Sequence, residues 1–127
     1  MKMQSLTTTA ATPRWAGSYG DRSTLLSGGA KLDGTAFPAK TDGTARAASG
    51  TLVSRDAAAG AATFGTFNAA HAQYGFVWLD VMDQSAGNPD VEIMTAGEIR
   101  LDRLPTALTL AQRDAIKQQF VLTTGGA

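Results

Sequence analysis

The run "YGFVWLDV", Tyr74–Val81, constrains the fold most. Read with period two, it puts Phe76, Trp78 and Asp80 on one side and Val77, Leu79 and Val81 on the other. Both sides are largely apolar, as in a strand covered on both faces. Gly87, Asn88 and Pro89 follow in "DQSAGNPD", a strong turn signal. Beyond them Val91, Ile93 and Thr95 alternate, Gly97 interrupts, and Ile99 and Leu101 resume. A glycine inside such a run signals a bulge or a close backbone approach. The two runs are expected to pair as a hairpin.

The stretch that follows, "GEIRLDRLPTALTLAQRDAIKQQFVLTT", closes the domain. Pro105 ends the extended run. Thr109 with Gln112 three residues later is a capping-box arrangement, in which each side chain serves the other residue's backbone N–H. The helix is expected over Leu110 to about Gln119, with Ala111, Ala115 and Ile116 towards the core. Phe120, Val121 and Leu122 then pack or pair as a last strand. Further upstream, Leu52 and Val53 make a short strand, Gly60 marks a turn, and Phe64 and Phe67 are anchors. "KLDGT" and "KTDGT" (Lys31–Thr35 and Lys40–Thr44) carry Asp-Gly pairs, a tight-turn signal, and are expected to be exposed loops linking short extended pieces.

Residues 1–14 are polar, Thr-rich and aperiodic. Such a segment buries too little apolar area to offset its ordering entropy, and a flexible arm is expected there. Its β-branched threonines suit an added strand if a partner offers an edge. Trp15, just after it, reads either as the anchor of the arm's root in the core or as part of a partner contact. Residues 15–127 are expected to form one β-rich domain.

Composition removes several functions. Lys plus Arg and Asp plus Glu each number 11, and no basic cluster stands out, which argues against nucleic acid as a partner. The absence of cysteine excludes disulfides, thiolate metal sites and cysteine nucleophiles. The first residues lack the apolar core of a signal peptide, and the longest apolar run is far too short for a bilayer, so no membrane partner is expected. His71 is the single histidine, and sequence assigns it no nucleophile. Asp80, Asp83, Asp90 and Glu92 surround a turn, but Met82 stands where an EF-hand loop needs Asp or Asn. The expectation is no catalytic residue, no cofactor and no metal.

Taken in order, "GFVWLDVMDQSAGNPDVEIMTAGEIRLDRLP" and "LTLAQRDAIKQQFVL" resemble the lambda-type bacteriophage head decoration proteins, a capsid-stabilising family. The likeness rests on Asp83–Gly87, Val91–Ile99, Leu104-Pro105, Leu108–Arg113 and Val121-Leu122, with "SGTLVSRD" at Ser49–Asp56. It implies a mainly β fold, a small bent ribbon of the β-clip kind, with one short C-terminal α-helix and a flexible N-terminal arm. It implies a homotrimer on the outer surface of the virion, made in the host cytoplasm, that binds the major capsid protein at three-fold and quasi-three-fold positions. The arm, Leu6, Thr7, Thr8, Thr9, Ala10, Ala11 and Thr12, together with Trp15, would make the capsid contact. The competing readings are a small wall-degrading hydrolase, which needs paired carboxylates or a metal, and another virion or carbohydrate-binding module.

Overall fold

The computed structural model describes residues 15–16, 30–56, 63–71 and 73–124, with the backbone of 24–26. The fold is mainly β. Its strands are β1 (Thr24–Leu26), β2 (Lys31–Leu32), β3 (Leu52–Arg55), β4 (Thr63–Thr66), β5 (Gln73–Val77), β6 (Ile93–Arg100) and β7 (Phe120–Thr123). The one helix among the described residues beyond single 3-10 turns is α1 (Leu110–Ile116). The sheet runs β1-β6-β5-β3-β4-β2, and β7 also pairs with β6. The β2–β4 and β6–β7 pairs are parallel, and the others are antiparallel.

Alternation along the central strands sorts side chains onto two faces. Leu52, Phe76, Trp78 and Met94 pack in one cluster with Trp15, Ile99, Ile116 and Phe120. Val53, Val77, Val81 and Ile93 pack in the other with Leu32, Phe64 and Val91. The first face is covered by α1, β7 and Trp15, the second by the loops around residues 30–47 and 79–91. The double coverage expected for Tyr74–Val81 holds from Tyr74 to Trp78 and at Val81, but the strand stops at Val77 and Leu79 and Asp80 are exposed.

β5 and β6 do pair, Phe76 opposite Met94 and Val77 opposite Ile93, but across a long excursion (residues 78–92) rather than a tight turn. The expected interruption is present, but the alternation does not resume on the same face at Ile99. Along β1, Thr24 faces Ala96 while Leu25 faces Met94, so Thr95 is an extra residue. That bulge reverses the parity, which places Ile93 on one face and Ile99 on the other. Gly97 follows at φ 132°, a region that side-chain-bearing residues avoid. Here β6 changes partners, leaving β5 and taking up β7.

The gap left where β5 diverges is filled by a side chain. The Gln119 amide donates to the carbonyls of Tyr74 (2.5 Å) and Thr95 (2.8 Å). Its carbonyl oxygen accepts from the Tyr74 N–H at 3.3 Å. One amide thus stands in for a missing strand, bonding the N–H and carbonyl of Tyr74 and the carbonyl of Thr95.

The Asp-Gly pairs do not make hairpins. β2 instead pairs in parallel with β4. Asp33 and Asp42 each accept the N–H two residues on, at Thr35 and Thr44, which fixes a local Asx turn.

The helix is shorter than its expected reach to Gln119, and Ala111 is exposed where a core position was expected. Residues 117–119 form a turn, because Phe120 must leave the helix axis to enter β7. Its start is as expected: Thr109 Oγ1 accepts from Gln112 N at 3.2 Å, and Gln112 Oε1 accepts from Thr109 N at 2.8 Å. Thr109→Ala should lower stability by about 0.5–2 kcal/mol. Chemical denaturation checks this, with the accompanying loss of helical circular dichroism.

Candidate functional site

The residues expected to contact a capsid fall in two classes. Leu6, Thr7, Thr8, Thr9, Ala10, Ala11 and Thr12 lie outside the described residues. Trp15 is described, and it sits inside the domain, 3% exposed. Its ring lies 5.6 Å from Phe76 and 5.7 Å from Trp78, the latter edge-on. Its indole N–H donates to Ser49 Oγ at 2.9 Å, and Ser49 Oγ in turn donates to the Trp78 carbonyl at 2.6 Å. Its own carbonyl accepts from Arg100 N at 2.7 Å, and Ala16 bridges to Ile99. So the Trp15 side chain is a core residue and not a face offered to a partner, which corrects its place among the contact residues.

The seat of Trp15 is closed by Gly50. That residue has φ 89°, and an added Cβ would stand 2.7 Å from Pro105 Cδ and 3.0 Å from the indole. Only glycine fits both the conformation and the space.

A second feature is the loop cluster over the opposite face. Arg46 is buried, and its guanidinium donates to the carbonyls of Phe37 (3.0 Å), Asp83 (2.8 Å) and Ser85 (2.9 Å). A buried cation is tolerated because these oxygens replace its water. Gln84 ties the same loops: it accepts from Lys40 N (2.7 Å) and donates to the Thr44 carbonyl (3.1 Å). Asn88 accepts from Gly34 N at 2.8 Å. Beside this cluster an open groove runs between residues 79–83 and 90–92. Leu79 and Met82 are exposed there. The carboxylates suspected of cation binding line it, but among the described residues no three acidic or histidine groups converge as a metal ion requires.

The Asp83 carboxyl is held below its ordinary 3.8 by hydrogen bonds from the Ser85 hydroxyl and N–H, with a smaller effect of Arg46. A depressed folded-state pKa contributes stability that is complete above 3.8 and lost as pH falls through the lowered value. Asp83→Asn keeps an acceptor without a titrating proton. It should flatten the acid limb of the stability–pH curve by lowering the neutral region towards the acid value, with little change at the acid end.

The third feature was not legible in the sequence. His71 Nδ1 lies 2.7 Å from Ser54 Oγ, so the lone histidine does have a hydroxyl beside it. Ser54 Oγ also accepts from Asn68 N at 2.9 Å and lies 3.4 Å from the Thr66 carbonyl. Ser54 is fully buried in the middle of β3. A nucleophile must reach its substrate, and this oxygen is enclosed by the contacts that fix the loop after β4. The arrangement suits a structural tie rather than acyl transfer. Nothing in the spacing of Ser54 and His71 could have paired them, since they meet only through the β3–β4 and β3–β5 registers.

Comparison with protein-family models, curated proteins and solved structures finds no match. No helix among the described residues is long and apolar enough to cross a membrane.

Trp15→Ala should cost about 3–5 kcal/mol, the range for emptying a large aromatic site. Trp15→Phe, which keeps most of the packing but loses the indole N–H, should cost distinctly less. Denaturant midpoints of the two variants check the order.

Proposed function

We propose that this chain is a structural virion protein. It binds the outside of a phage capsid as trimers at three-fold and quasi-three-fold positions and stabilises the expanded head. The observation that carries this reading is the seat of Trp15. Residues 1–14 lead directly into a buried indole whose carbonyl is bonded to β6. A contact made by that segment is therefore tethered to β6 and to the core.

The resemblance supplies the partner, the major capsid protein. Four of the segments that carry it coincide with elements of the domain: Val91–Ile99 contains most of β6, Leu104-Pro105 follows its end, Leu108–Arg113 caps and starts α1, and Val121-Leu122 is in β7. The Thr-rich segment suits strand addition, where each main-chain hydrogen bond contributes about 0.5–1.5 kcal/mol net. Ordering takes back about 1–2 kcal/mol per residue, so one arm alone binds weakly. Three arms on one trimer act at an effective concentration of about millimolar after the first docks.

A hydrolase is the competing reading, and the Ser54–His71 contact is the observation in its favour. The burial of Ser54 weighs against it. If His71→Ala abolished a turnover on cell-wall substrate while leaving the fold intact, the enzyme reading would replace the structural one.

Deleting residues 1–12 should leave the fold intact but remove most binding to expanded capsids that lack the protein. Co-pelleting measures this. Equal decoration by the truncated chain would move the contact to the folded body.

A further inference from the structure

Among the described residues, the large exposed apolar side chains outside β7 fall at two separate places, one surrounded by carboxylates and the other by groups with a net positive charge. Leu79 (41% exposed) and Met82 (53%) stand in the groove between residues 79–83 and 90–92. Asp80, Asp83, Asp90 and Glu92 line the same groove. Lys31 pairs with Asp90, and Arg46 sits buried behind Asp83, which leaves the groove acidic at its surface. Leu110 (66%) stands on α1. Arg113, Asp114 and Lys117 follow it at helical spacing and are all exposed, while Ile116 faces the core. Asp114 engages Lys117 at 3.8 Å, and Arg113 has no ion-pair partner among the described residues. The solvent face of α1 thus carries a leucine, the unpaired cation of Arg113 and the Asp114–Lys117 pair along about 10 Å of helix, a net positive charge of one.

We propose that these two surfaces are the two halves of one contact between copies of this chain. The outer face of α1 seats in the acidic groove of a neighbour, Leu110 against Leu79 and Met82, with Arg113 and Lys117 towards Asp83 and Glu92. The occupant is a second copy because the complementarity is contained within a single chain whose formal charge sums to zero. Burying the exposed apolar groups supplies attraction, and the opposite charges fix the register. A contact between two different patches is head-to-tail, and repeated by rotation it closes a ring. The inference rests on the trimeric reading for the number of copies, but not for the identity of the surfaces.

The chain has no cysteine, so introduced thiols are the only ones present. Met82→Cys with Leu110→Cys in one chain, treated with a short bismaleimide, should give products that end at three chains. Either single substitution should give background only. Arg113→Glu in the paired-cysteine chain should cut the yield about tenfold, and adding Glu92→Lys should restore it. The same charge variants without cysteines repeat the test by sedimentation. If the paired-cysteine chain links no better than the single ones, or a single one links to itself, the proposed contact is wrong and the trimeric reading is untouched. Products that end at two chains, or run on as an open ladder, would keep the contact and overturn the ring of three.

Discussion

The indole of Trp15 joins two regions that a flat sheet would hold apart. Its backbone is bonded to Arg100 near the end of β6, while its ring touches Trp78, whose N–H is bonded to Glu92 just before β6 begins. Eight residues of straight strand would separate those points by roughly 26 Å. Trp15 and Trp78 together link those points, and the bulge bends β6 between them. The bulge at Thr95 and the positive φ of Gly97 supply the bend, and Trp15, Phe76 and Phe120 fill its inner side. Without the indole the two halves of β6 would lose their common core.

The bend also explains the unusual parts. Because β6 leaves β5 after Met94, Tyr74 and Thr95 need other partners, and the Gln119 amide meets both. Because parity reverses at the bulge, β6 feeds both clusters, and the helix-covered face gains Ile99 beside Ile116. Among the described residues no helix covers the far face. It is closed by loops whose polar groups bond each other through Arg46, Gln84 and Asn88, and this is where the open groove lies.

Local signals were legible in the sequence, and those that need distant residues were not. The capping box at Thr109 is a matter of residues three apart, and it forms as expected. The two-faced strand at Tyr74–Val77 is a matter of alternation, and it too is present. Gly97 announced a break in β6 but could not say that the faces exchange, since a bulge is defined by its partner strand. The Asp-Gly pairs lie in loops as expected, but nothing in them announces the Asx turns or the parallel pairing of β2 with β4. The Ser54–His71 contact and the three carbonyls around Arg46 depend on registers across the whole sheet. Trp15 carried two readings, and its burial decides for the core.

The central claim is that residues 6–12 make the capsid contact while the folded body acts as their anchor. Hydrogen–deuterium exchange of the chain, free and bound to expanded capsids lacking it, tests this most directly. The account predicts new protection over residues 6–12 on binding, of the extent expected for main-chain pairing. It predicts no change at the Arg100 amide, which is bonded to the Trp15 carbonyl in the domain itself. Protection confined to the folded body, with residues 6–12 exchanging as fast as in the free chain, would contradict it.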